Sequence, residues 1–180
     1  VPHIEITRDL PGISGLFAQR PDTAGVLSEL AETLLRSGPS PLSRGERELI
    51  AAYVSHLNRT DFCAGSHSAF AAAQLEGGAE LVVSVLADVD TAAITPLLRS
   101  LLKVAAEVQA EAAPVSGEVI AAARAEGATD THIHDTVLIA AAFAMFNRYV
   151  NGLATDVPSD PSFYDVAADL VVQHGYGAAR

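Results

Sequence analysis

The sequence contains no tryptophan, one methionine and one cysteine. A single thiol, Cys63, excludes an internal disulfide, and a lone cysteine fits a reducing compartment. Basic residues are scarce: 11 lysines and arginines stand against 22 aspartates and glutamates, for a formal net charge of −11. That balance argues against nucleic acid and anionic membrane as partners, because both surfaces are negative and repel it. Long hydrophobic runs are missing too. The most apolar stretch, residues 136–145, is too short to cross a bilayer, which takes ~20 residues. The opening residues lack the charged start and apolar run of a signal peptide. A cytoplasmic enzyme or binding protein is expected.

Apolar residues make up 49% of the chain, with Ala, Val and Leu dominant. That composition suits close-packed helices with small side chains at their contacts. At 180 residues, one domain spanning 1–180 can bury a substantial core.

Pro2, Pro11, Gly12, Gly15 and Pro21 make residues 1–22 read as an irregular arm. Helical periodicity starts near Val26, carries Leu27, Leu30, Leu34 and Leu35 on one face, and ends at residues 37–41. Ser43 and Glu46 have capping-box spacing for a second helix, running through Leu49, Ile50 and Tyr53 to about His56. Asn58, Thr60 and Asp61 offer caps for a third, ending near Leu75 before Gly77 and Gly78. Residues 82–85 are strand-like in composition, but a single strand has no partner, and the class is all-α. Asp88, Asp90 and Thr91 are read as reopening a helix toward Lys103 and Ala112, with Pro96 in its first turns. A shorter helix follows Pro114 and ends at Gly127. Thr129 and Asp130 cap a long one over about 131–153, and the last spans about 163–174. This gives seven or eight helices.

Cys63 falls in the first turns of the third helix, where free amides and the helix dipole favour a thiolate. His67 is one turn further on the same face, so the pair can move a proton to and from sulfur. Glu48, on the preceding helix, is within reach of His67 if the two helices fold back on each other. A free cysteine at such a position is also compatible with a small buried packing residue.

Glu48 followed by Thr60, Cys63 and His67 resembles the core motif of the alkylhydroperoxidase D-like / carboxymuconolactone decarboxylase family, in which a Glu precedes Cys-x-x-Cys-x-x-x-His. Residues 10–13 and 146–153 resemble the start and the long-helix end of its peroxidase-related subgroup. The resemblance implies an alkylhydroperoxidase D-like helical bundle and a homo-oligomer, trimer or hexamer. It assigns Glu48 and His67 to a proton relay and Cys63 to the peroxide-attacking thiol. Thr60 stands where the first cysteine of the pair would be, lining the site without being able to close a disulfide. His56 and Phe62 are further pocket candidates.

The expected function is therefore a peroxidase-related oxidoreductase. It reduces a hydroperoxide through Cys63, with Glu48 and His67 as relay and an external thiol as reductant. Two other readings use the same residues. One is a decarboxylase-like proton transfer on a small organic acid; Arg44, Arg47 or Arg59 would then meet the anion, although surface exposure is expected of each. The other is a non-catalytic oligomeric family member. No cofactor is expected. Nor is a metal, since His132 and His134 are two apart on a helix and point in different directions. Asn147, Arg148 and Asn151 form the polar end of the long helix, with exposure expected for Arg148. Ser55 and Asn58 are expected to hold the interhelix turn through bonds to backbone.

Overall fold

A computed structural model describes residues 1–6 and 10–179. Among them run nine α-helices and no strand: α1 (Gly12–Gln19), α2 (Pro21–Glu32), α3 (Arg44–Leu57), α4 (Asp61–Ala72), α5 (Gly78–Ala87), α6 (Pro96–Ala110), α7 (Gly117–Ala125), α8 (Asp130–Gly152) and α9 (Ser162–His174). A π turn, Thr33–Ser37, extends α2, and a 3-10 turn, Tyr176–Ala179, follows α9. The fold is the expected all-helical one, with two helices that the sequence did not place: α1, and α5, which takes up the strand-like residues 82–85.

The first of these corrects the irregular arm expected over residues 1–22. Its prolines are not breaks. Pro11 precedes the first turn of α1, and Pro21 occupies the start of α2, where a missing amide is one of the helix's orphans anyway. Gly12 takes a positive φ of 55° and lies so close to Phe62 that a Cβ would meet that ring at 2.2 Å. This contact seats α1 against α4.

The start of α6 is a further correction. It begins at Pro96, not at residues 88–91, with the Thr95 hydroxyl accepting from the Leu98 amide at 3.1 Å. A residue before proline is pushed out of the helical region, and Thr95 is extended (φ −62°, ψ 149°). Asp88 instead holds a turn, accepting from the Asp90 amide and the Thr91 hydroxyl, each at 2.9 Å.

At the centre lies α3, packed most heavily on α4 and then on α8 and α6. Leu49, Ile50, Ala51, Ala52 and Val54 are all completely buried, because neighbouring helices cover this one on several sides. Ser43 and Glu46 form the capping box at its start. Polar groups on such a helix must find partners inside the protein. Arg47, Glu48 and Ser55 are buried there, and two of the three help to build the site. No helix among the described residues is long and apolar enough to cross a membrane.

Candidate active site

Glu48 is 2% exposed, and a buried carboxylate is tolerated only with hydrogen-bond partners. It has two. His67 Nδ1 lies 2.7 Å from Glu48 Oε2, and Tyr176 Oη donates to Glu48 Oε1 at 2.6 Å. An ionised carboxylate only accepts, so Nδ1 carries the hydrogen and Nε2 is left free on the other side of the ring. Phe143 and Phe70 meet the imidazole edge-on, with centroids at 4.5 and 5.2 Å. Burial pushes the Tyr176 phenol well above its ordinary 10.0, and the Glu48 charge and hydrogen bond push it further. Tyr176 therefore remains a donor.

Tyr176 is the residue that sequence reasoning missed. It follows Gly175, whose φ of 85° turns the chain at the end of α9, and no local spacing links it to Glu48. The one available signal is a glycine stop followed by an aromatic residue.

Cys63 is the third residue of α4 and is 3% exposed. The expectation of a thiolate at the helix start does not hold for the resting protein. Burial pushes the thiol up to about 12, against a weaker opposing pull from the hydrogen bond with Asn147. Desolvation outweighs whatever the helix terminus contributes.

Cys63 and His67 line one cavity of about 90 Å³ between α1, α2, α4, α8, α9 and the last turn. Phe62 lines it too. The walls are aromatic and aliphatic, relieved by Ser14, Ser28, Ser66 and Tyr176, and no Lys, Arg, Asp or Glu contributes to them.

Thr60 is placed differently from the expectation. It is completely buried but does not line the cavity. It precedes α4 without capping it, and its hydroxyl accepts instead from Asn151 Nδ2 at 2.9 Å. Beside it, Asn147 is 1% exposed; it donates to Ser55 Oγ at 3.0 Å and accepts from Asn58 Nδ2 at 3.0 Å. The polar end of α8 thus locks the α3–α4 turn through side chains. This replaces the backbone bonds expected of Ser55 and Asn58.

His56 is exposed and absent from the cavity wall. Eight residues beyond Glu48 put it ~80° around the helix, which carries it off the site's face. None of the three arginines reaches the cavity. Arg44 and Arg59 are exposed as expected. Arg47 corrects that expectation: it is 5% exposed and donates to the carbonyls of Leu34, Arg36 and Gly38 at 3.2–3.3 Å. Carbonyls at a helix end need such donors. Arg148 is exposed and bonds the Ala144 carbonyl. His132 joins Thr129 in a capping box, while His134 lies 3.1 Å from Asp135. Among the described residues no group of three or more His, Cys, Asp or Glu is arranged to hold a metal.

The model of the carboxymuconolactone decarboxylase family matches residues 21–107. Over that segment, a little under half of the chain, the protein resembles the carboxymuconolactone decarboxylase family. The segment includes Glu48, Thr60, Cys63 and His67, whereas Asn147, Asn151 and Tyr176 lie beyond it. Among solved structures, the chain is similar to one described as an alkylhydroperoxidase AhpD core, an uncharacterized peroxidase-related protein from Ralstonia eutropha JMP134. The TM-score is 0.76 at 24% identity, covering 88% of this chain and 81% of that one. An uncharacterized peroxidase-related protein from Silicibacter sp. TM1040 is similar at a TM-score of 0.75 and 24% identity, covering 86% and 78%. At such identities the likeness is one of fold. No curated protein matches the chain.

Proposed function

We propose that the protein is a thiol-dependent peroxidase that reduces a small hydroperoxide at Cys63. The observation carrying this reading is an imidazole, held by Glu48 and Tyr176, in the wall of the cavity that also holds the cysteine. The Cys63 proton passes to His67 Nε2 as the sulfur attacks the outer peroxide oxygen. The O–O bond breaks, the leaving alkoxide takes the proton from His67, and the products are an alcohol and a sulfenic acid on Cys63. An external thiol then displaces water to form a mixed disulfide, and a second thiol releases Cys63. Thr60 makes an outside thiol necessary, because a hydroxyl cannot resolve the sulfenic acid. A homo-oligomer is proposed for the working form on the strength of the family resemblance.

The raised thiol is compatible with this scheme because the proton is moved within the reaction and need not leave beforehand. The same feature favours a second reading, a binding protein whose Cys63 only packs. A decarboxylase-like reaction on an organic acid has less support, since no cation lines the cavity and an anion there would be unpaired.

Peroxide consumption with added low-molecular-weight thiols separates these readings. Turnover should disappear in Cys63→Ser and fall about a hundredfold in His67→Ala, the usual scale for a lost general acid–base group. Turnover unchanged in Cys63→Ser overturns the peroxidase reading.

A further inference from the structure

The inner face of α2 buries Ala24, Ser28 and Ala31. Ser28 stands where a further alanine would pack. It is 3% exposed, and its Oγ is fully buried with no hydrogen-bond partner. A serine inside a helix ordinarily turns its hydroxyl back to the carbonyl four residues earlier, and this one does not. A buried hydroxyl without a partner is unfavourable, so an alanine would suit the empty protein better. Ser28 lines the same cavity as Cys63 and His67. The missing partner is therefore to be sought in whatever occupies that cavity.

The rest of the wall defines that occupant. It offers aromatic and aliphatic surface and no charged side chain, which excludes acids and amines on desolvation grounds. An engineered apolar cavity of ~150 Å³ holds benzene; by that scale the volume of about 90 Å³ takes about four non-hydrogen atoms. Longer chains would need the walls to move.

We propose that Ser28 is the recognition group for the oxygen end of a short, uncharged alkyl hydroperoxide of no more than two carbons. Its hydroxyl donates to a peroxide oxygen, and the alkyl group lies against the phenylalanine rings. The alcohol product has the same outline and is held in the same way. The substrate class rests on the peroxidase reading, whereas the binding of a hydroxyl by Ser28 does not.

Binding alone tests it, with isopropanol as an unreactive mimic and xenon as an apolar probe of the same cavity. Both are titrated by NMR into the full-length protein and into Ser28→Ala. Saturable isopropanol binding is expected in the parent, weakened about tenfold in Ser28→Ala, as for one lost buried hydrogen bond. Xenon should bind both proteins equally well or favour the variant. Equal isopropanol affinity in the two proteins overturns the proposal, as does failure of isopropanol to bind the parent. Loss of xenon together with isopropanol assigns the effect to cavity shape and overturns it too. Ser28-dependent isopropanol binding without Cys63 turnover would leave the proposed contact standing and remove the peroxidase reading. Turnover with Ser28-independent binding would do the reverse.

Discussion

Tyr176 donates its phenolic hydrogen to Glu48 across 128 residues of chain, at 2.6 Å. The contact binds the last turn of the protein to its central helix and completes the satisfaction of a buried carboxylate. Arg36 and Glu32 hold the same end in place. Glu32 accepts from the Tyr176 amide at 3.0 Å, and Arg36 donates to the Val172 carbonyl at 3.3 Å. The Glu48–His67 pair and the C-terminal closure are thus one construction.

Tyr176→Phe removes one hydrogen bond to a charged group and nothing else of size. A loss of about 1.5–3 kcal/mol is expected, the usual range for such bonds, and thermal denaturation measures it. Peroxide turnover should also fall, because His67 loses a partner that fixes its acceptor. Unchanged stability would mean that water replaces the phenol at Glu48.

The Cys63 thiol should resist simple alkylation. With its pKa pushed up to about 12 by burial, the thiolate is rare at neutral pH, and iodide needs no proton to leave. Iodoacetamide at pH 8 should therefore label Cys63 far more slowly than free cysteine. A peroxide is different, because its leaving alkoxide takes a proton and the His67 relay can supply it.

The same shift makes the fold sensitive to alkali. An unfolded thiol sheds its proton near its ordinary 9.0, whereas the folded one holds it to about 12. Stability is thus unaffected below pH 9 and declines as pH rises toward 12, by up to about 4 kcal/mol from this group. Denaturant melts of the parent and Cys63→Ala across that range isolate the contribution. The decline should be smaller in the variant.

Thr60→Cys tests whether the threonine is the reason the disulfide step is missing. The substitution costs the hydrogen bond from Asn151, about 1 kcal/mol. Oxidised protein should then carry an intramolecular disulfide to Cys63, seen by mass spectrometry as the loss of a hydrogen pair. Persistence of both thiols under oxidation would show that the buried turn between α3 and α4 cannot bring the sulfurs together.

Gly12→Ala should loosen the cavity from its N-terminal side. The new Cβ meets the Phe62 ring at 2.2 Å and sits at a positive φ. Overpacking and left-handed strain together predict a loss of about 3 kcal/mol, read by denaturant titration. A neutral outcome would mean that α1 is not held by Phe62.

Much of this was legible in the sequence because it is local. The Ser43–Glu46 capping box, the break at residues 37–41 and the one-turn spacing of Cys63 and His67 each lie within a few residues. The Glu48–His67 pair needed only that neighbouring helices fold back on one another, and they do at 2.7 Å. What failed was long-range or a matter of burial. Tyr176 has no sequence relation to Glu48. Thr60 offers a capping hydroxyl, but Asn151 on α8 claims it. Arg47 resembles its exposed neighbour Arg44 until the π turn presents carbonyls to it. The helix-start argument for a reactive thiolate was sound chemistry defeated by desolvation, which spacing does not reveal.

Trapping of oxidised Cys63 tests the central claim most directly. The protein is treated with dilute ethyl hydroperoxide at neutral pH, a sulfenic-acid-specific carbon nucleophile is added, and the adduct is followed by intact mass spectrometry. An adduct on Cys63 is expected that forms faster than free cysteine is oxidised, slowed about a hundredfold in His67→Ala. A rate no greater than that of free cysteine, or one indifferent to His67, would contradict that claim.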